Sequence, residues 1–357
     1  MTILSANNIN RVEWSKLVAS SATGTWFQSV EAYEFFASMP ELFKPFVIGL
    51  ENDGVLRAVC VGYITVEKNP LKQFLTRRAI IIGGPALADD ASSEEVEALL
   101  CALKSSLLSG RDGVGLPPIY IESRNFNDYS RWKDAFASAR FDYMPHLNFH
   151  VDCRNKEAMW ERMSENRRRQ VRKAQATVEC LTNERVNELE IREWYEILRE
   201  LYRTKVKTPL WPLEFFLEAY RQGVGKFLLV KHEGKVIGGN MVVEWKKSSI
   251  INHQSSIDTD GVVYEWFECG LNAEYKEQYP SVMATWAGIT LTQETGCARY
   301  DMMGAGVPGI PYGVRDFKSE FGGELVEHGR FLCVCMPLLY QFGAFVVKLL
   351  KSLWLSE

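Results

Sequence analysis

The feature that most restricts this chain is a likeness between two of its own stretches. Phe46–Ile64 and Phe227–Trp245 are apolar runs interrupted by a polar turn, and the turn glycines, Gly54 and Gly234, lie 180 residues apart. A small residue follows each by four positions, Ala58 and Gly238. The same offset carries Tyr120-Ile121-Glu122 onto Tyr300-Asp301-Met302, and a helical pattern precedes each strand, Ser93–Leu108 and Ser281–Thr295. So long a period predicts a duplicated domain, not a solenoid of short repeats. Each copy reads helix, helix, strands, helix, strand, which is a mixed α/β (α+β) plan. The expected boundaries are a first domain over 1–152, a second over 153–336 and an apolar tail over 337–357.

A length of 357 residues fits two such domains. The net charge of −4 gives no global field for nucleic acid, so any basic surface is local. Eight cysteines are scattered with no Cys-x-x-Cys pair, which reads as reduced thiols of an intracellular protein. The five histidines show no metal-ligand spacing. The first residues, Met1 to Asn8, have neither a basic region nor a long apolar one, so a secretory signal is not expected.

Helices are expected over Asn10–Ser21, Phe27–Met39, Tyr129–Ala139, Asn155–Gln175, Leu189–Thr204 and Pro212–Gln222. Strands are expected over Pro45–Glu51, Val55–Val66, Ala79–Ile82, Pro118–Glu122, Tyr143–Val151, Ser248–Ser256 and Arg330–Met336. Glu265–Gln278 reads as irregular or helical. Leu338–Leu355 reads as an amphipathic terminal helix, docked on the core or lying on a membrane surface. Lys348, Lys351 and Pro337 argue against a span, which needs about 20 clean apolar residues.

The stretch Tyr300–Gly323 holds most of the chemistry. A strand ends at Asp301, a loop follows with glycines at 304, 306 and 309, and a short helix over Tyr312–Phe321 is closed by Gly322-Gly323. Glycines admit positive φ and close backbone approach. Phe317 and Phe321 lie one turn apart and face the core, which sets Lys318 beside the buried stripe. Lys318 is the candidate cation for a developing oxyanion or leaving phosphate; otherwise it is a solvated helix lysine. Asp301 is the candidate to take or orient an amine proton; otherwise it caps a loop. Arg315 could grip a carboxylate or phosphate, or pair with Asp316 or Glu320. The basic helix places Arg168 and Arg172 one turn apart, as an anchor for a phosphate-rich ligand or as a solvated face bridged to Glu161 and Glu165. Tyr264, Trp266 and Tyr312 could line an acceptor groove, and His253 could face a cleft.

Four stretches together resemble the Fem-type aminoacyltransferases, the FemAB group of the GNAT superfamily: Thr25-Trp26-Phe27-Gln28-Ser29, the helix Ser164–Ala174, the loop Pro209–Phe216, and Asp301 with Phe317-Lys318-Ser319-Glu320-Phe321-Gly322-Gly323. The resemblance covers most of the chain, and the last module is its most specific piece. It implies two tandem GNAT-like domains. It implies transfer of an acyl or aminoacyl group to an amine of a peptidoglycan-type precursor, in cell-wall biogenesis, without a covalent enzyme intermediate. Aminoacyl-tRNA or acyl-CoA would be a co-substrate, no cofactor would be tightly bound, and tRNA is an implied partner. The chain lacks the coiled-coil arm of some Fem enzymes and a clear pyrophosphate loop; Arg78-Ala-Ile-Ile-Ile-Gly83-Gly84 departs from that pattern. The implied location is cytoplasmic, at the inner membrane surface if the tail helix is amphipathic. Alternatives are an acyl-carrier-protein- or acyl-CoA-dependent N-acyltransferase and a non-catalytic duplicated binding protein.

Overall fold

A computed structural model describes residues 1–109, 117–246 and 261–354. The chain forms two compact units, Met1–Pro145 with His328–Glu357, and His146–Glu327. The first unit is built on the strands β1 (Thr2–Ser5), β2 (Phe43–Asn52), β3 (Val55–Thr65), β4 (Arg78–Gly83), β5 (Ala86–Leu87), β6 (Tyr120–Asn125), β7 (Asp142–Met144) and β15 (Arg330–Val334). The second holds β8 (Leu147–Asp152), β9 (Glu179–Leu181), β10 (Lys226–His232), β11 (Lys235–Trp245), β12 (Val262–Gly270), β13 (Arg299–Gly304) and β14 (Glu324–Glu327).

The first sheet runs β1-β2-β3-β4-β6-β15-β7, with β5 beside β3, and the second runs β9-β10-β11-β12-β13-β8-β14. The two orders match place for place. The sixth place is filled out of turn in both: β8 lies in the second sheet and β15 in the first. The observed units therefore differ from the boundaries expected at 152 and 336. Chain order cannot reveal such an exchange, because β8 pairs with β13 and β14, and β15 with β6 and β7, all by long-range register.

The repeat is borne out in backbone detail. Asp53 and Gly54 have φ of 50° and 76°, and Glu233 and Gly234 have 50° and 80°. Two consecutive left-handed residues suit the twist of a tight hairpin. The ladder slips between Leu50 and Glu51 in one copy and between Val230 and Lys231 in the other, again 180 residues on. In the first unit Val96, Leu99, Leu100, Leu103 and Leu107 of the helix Ser93–Ser109 are buried against the sheet. Each such side chain contributes about 1.5–3 kcal/mol by leaving water. Gln28 donates to the carbonyls of Val61 and Ile82 and accepts from Val61 N–H, so this buried amide stitches β3 to β4.

Two expectations are corrected. The basic stretch Asn155–Gln175 is two helices, Lys156–Arg162 and Glu165–Gln175. It breaks because Ser164 caps the second helix, its hydroxyl accepting from Arg167 N–H, while Ser164 N–H donates to the Glu320 carbonyl. Glu265–Gln278 begins as strand: β12 runs on to Gly270. The β-branched and aromatic run Val262-Val263-Tyr264 with Trp266-Phe267 outweighs the helical reading once β11 pairs beside it. The expected strand Ser248–Ser256, with His253, lies outside the described residues.

Candidate active site

The copies differ where a parallel strand pair meets. In the first unit β4 and β6 stay paired over six positions, from Arg78–Tyr120 to Gly83–Asn125. In the second, β12 and β13 pair at Val262–Arg299, Val263–Tyr300 and Tyr264–Asp301 and then part. Beyond the parting, β12 carries Glu265 and Glu268, and β13 carries Met302 and Gly304.

A bulge orders the two carboxylates. Glu265 faces Val242 across the ladder and Glu268 faces Asn240, with the register slipping between Met241 and Val242. In a regular strand residues three apart point to opposite faces. The extra residue brings Glu265 and Glu268 to one face, beside the helix Pro280–Glu294, whose Ser281 and Thr285 meet them.

Lys318, on the helix Gly313–Ser319, completes the cluster. Its stem is buried, and its ammonium donates to the Met302 carbonyl and, at 3.1 Å, to the Gly304 carbonyl. Glu265 Oε1 lies 3.9 Å away. Glu265 Oε2 accepts from the Tyr300 hydroxyl at 2.6 Å and from Thr285 at 3.3 Å, and Tyr300 also receives an Asn240 N–H at 3.2 Å. Burial pushes the Lys318 pKa below its ordinary value, against the pull of Glu265, Asp301 and Glu268. Burial raises that of Glu265, opposed by Lys318, Tyr300 and Thr285. Burial and the Glu265 charge raise Glu268 to about 8. Glu268 Oε1 is sealed from solvent and has no hydrogen-bond partner among the described residues. The buried ammonium thus neighbours two carboxylates that burial pushes above their ordinary range, Glu268 to about 8.

Asp301 finds its partners within the fold. It is fully buried; Oδ2 lies 3.2 Å from His150 Nε2, and Oδ1 accepts from Met303 N–H at 2.8 Å. Burial would raise its pKa, but His150, Arg299 and the Met303 N–H hold it below the ordinary value. Met303 has φ of 56°, a left-handed conformation costly for a side chain of its length. Asp301 pins the bend that ends β13.

Other expected residues fall apart from Lys318. Arg315 spends its guanidinium on the glycine loop, donating to the carbonyls of Ala305, Ile310 and Val307. It shapes the loop. Tyr264 is fully buried and cannot line a groove. Trp266 is half-buried against Trp211 and Phe215, and Tyr312 is exposed at the head of the Lys318 helix. On the basic helix, Arg172 is exposed with its guanidinium over Trp160, and Arg168 is half-buried. The arginine that reaches the Lys318 helix is Arg167, which sequence reasoning left in the cluster without a role. Burial pushes its pKa below the ordinary value, partly offset by Glu320. Glu265 and Glu268 went unread because their segment did not read as strand.

A cavity of about 400 Å³ in the same unit is lined by Val178, Leu181, Leu228, Met283, Trp286 and Leu291 among others, and by none of the residues around Lys318.

Strand order, the bulged β12 and the parted pair define a class of fold, two tandem GNAT-like domains, that is shared with solved structures. The chain is similar to the crystal structure of FemX, with a TM-score of 0.67 and 14% identity over 96% of this chain and 99% of that one. It is also similar to a tandem GNAT protein from the clavulanic acid biosynthesis pathway, with TM-score 0.58 and 8% identity over 93% of this chain and 98% of that one. A third likeness is to the C-terminal domain of a putative lysylphosphatidylglycerol synthetase from Agrobacterium fabrum, with TM-score 0.50 and 10% identity over 94% and 96% of the two chains. No family model and no curated protein matches the sequence.

Proposed function

We propose that the chain is an N-acyl or aminoacyl transferase whose second unit is the catalytic copy. The observation that carries this reading is the parting of β12 from β13 with the buried Lys318 ammonium and two carboxylates beside it. An ammonium has three donors. Two are held by the Met302 and Gly304 carbonyls, which leaves the third for a substrate oxygen.

In the reaction an amine nitrogen attacks the carbonyl carbon of an acyl ester or thioester. The C–N bond forms and the C–O or C–S bond breaks. Charge that develops on the carbonyl oxygen is stabilised by Lys318, fixed in place before the reaction starts. The proton released by the amine passes to Glu268 and on to the leaving oxygen or sulfur. A base that titrates near 8 is half available at that pH and basic enough to accept. The acyl donor, aminoacyl-tRNA or acyl-CoA, is a co-substrate. The acceptor is an amine of a cell-envelope precursor of the peptidoglycan type, met in the cytoplasm and, when lipid-linked, at the inner membrane face. Arg168 and Arg172 remain the candidates for a phosphate of either substrate.

The test is turnover with each donor class on the intact chain. Lys318→Met is expected to lower kcat by about 10²- to 10³-fold while donor and acceptor still bind. Unchanged turnover overturns the reading, and binding without turnover in the unaltered protein favours a duplicated binding module. Mass spectrometry of envelope precursors from a deletion strain would name the acceptor.

A further inference from the structure

The cavity of the second unit is graded from an apolar floor to a polar rim. Leu181, Leu228 and Met283 are buried, Trp286, Ala287 and Leu291 are half-buried, and Gln175 and Glu294 are exposed. One face of the helix Pro280–Glu294 forms a wall, because Met283, Ala287, Thr290 and Glu294 follow one another at steps of four, three and four. The residues opposite come from β9, β10 and the end of the helix Glu165–Gln175. The helix that precedes the matching strand of the first unit, Ser93–Ser109, buries Val96 and four leucines. Its counterpart here sets Ala287 and Thr290 toward the sheet edge, and about 400 Å³ stays open. That is within the size range of small-molecule sites.

The lining has one charge. Burial pushes the Cys180 thiol up to about 11, so it meets a ligand as a neutral group. Trp286 is held edge-on to Trp160, their ring centres 5.2 Å apart. The Arg172 guanidinium lies on Trp160 and outside the lining. Glu294 is the charged member, and it makes no hydrogen bond or ion pair among the described residues. It is also the last residue of its helix, whose final turn holds no basic residue. The dipole at a helix C-terminus favours a cation, as the carboxylate does. Trp286 and Glu294 are eight residues apart on this helix, about 12 Å along its axis.

We propose that this cavity binds a small molecule with an apolar body and a cationic amine. The body lies over Leu228 and Met283 against Trp286, and the ammonium stands beside Glu294 at the rim. An exposed ion pair contributes at most about fivefold in affinity. The apolar walls therefore supply most of the binding, and Glu294 supplies the choice of an amine over a neutral or acidic ligand of the same shape. An amine held here touches none of the residues around Lys318, so failure of this proposal leaves the transfer reading standing.

The test is titration calorimetry of the full chain with octylamine, octan-1-ol and octanoate. Octylamine is expected to saturate a single site, about three- to fivefold tighter than octan-1-ol, with octanoate the weakest. Ala287→Leu fills the space and should lower octylamine affinity at least about tenfold without lowering the melting temperature. Glu294→Gln alters an exposed side chain, keeps the fold, and should bring octylamine and octan-1-ol to equal affinity; it decides the matter alone if the leucine variant does not fold. Absence of saturable octylamine binding overturns the proposal. So does octylamine affinity unchanged in folded Ala287→Leu, a preference for the amine that survives Glu294→Gln, or octan-1-ol or octanoate binding the unaltered chain as tightly as octylamine.

Discussion

Arg167 Nη2 donates to the Phe317 carbonyl at 3.1 Å while the guanidinium lies 4.6 Å from the ring centre of the same residue. The neighbouring Phe321 ring lies 4.7 Å from it, and Gln170 accepts from Nη1 at 2.8 Å. One buried side chain thereby sets the angle of the helix that carries Lys318. Arg167→Ala leaves the Phe317 carbonyl and both ring faces unpartnered and is expected to cost about 3 kcal/mol. Arg167→Lys recovers only part of that, since an ammonium lacks the planar fork. Urea unfolding of both variants checks this.

Turnover should depend on Glu268 with a definite sign. The group is a base only when ionised, so kcat is expected to rise with pH through about 8 and then level. Glu268→Gln removes that limb and lowers kcat by about 10²- to 10⁴-fold. A pH–rate profile of the two proteins decides; an unshifted limb in the variant sinks the assignment.

The same residue should act on stability in the opposite direction. Its folded pKa is raised from 4.5 to about 8, so the folded chain holds a proton that the unfolded chain releases. Stability is full below 4.5 and declines as pH rises through about 8. Glu268→Gln should therefore melt higher than the natural chain at pH above 8 and alike in acid. Thermal melts across that range read it directly.

Asp301→Asn tests positioning against chemistry. The folded pKa is lowered, so the carboxylate contributes stability above its ordinary 3.8 that is lost as pH falls. The variant is expected to be less stable by about 2 kcal/mol at neutral pH, with the gap closing in acid. Activity should fall as the Met303 bend relaxes, while the midpoint near pH 8 stays in place.

Gly288 faces the Tyr300 ring, and a Cβ there would stand 2.3 Å from the hydroxyl. Replacing a helical glycine by alanine ordinarily gains about 1 kcal/mol. Here overpacking costs about 1–3 kcal/mol and pushes Tyr300 off Glu265, so Gly288→Ala is expected to lower both melting temperature and turnover.

Much of the fold was legible because it depends on local chemistry repeated at a fixed distance. The hairpin turns at Gly54 and Gly234 require left-handed backbone, and the sequence places glycine at both. The inward seat of Lys318 follows from two phenylalanines one turn apart on a short helix. Glu265 and Glu268 were not legible: three apart on what should be an alternating strand, they meet only because a bulge shifts the pleat. Asp301 read as a candidate to take or orient an amine proton, and its partner was not legible, because His150 arrives on a strand far away in the chain.

By itself, then, the sequence determined the doubling, the turns, the polarity of each helix and the residue types at the candidate site. Tertiary structure alone decided which sheet receives β8 and β15, where β12 leaves β13, and which carboxylates stand beside the ammonium. The reason is physical. Turns and helix faces are set by interactions among residues a few positions apart, whereas strand exchange, register slips and burial arise from pairings across long stretches of chain, whose energies no local pattern encodes.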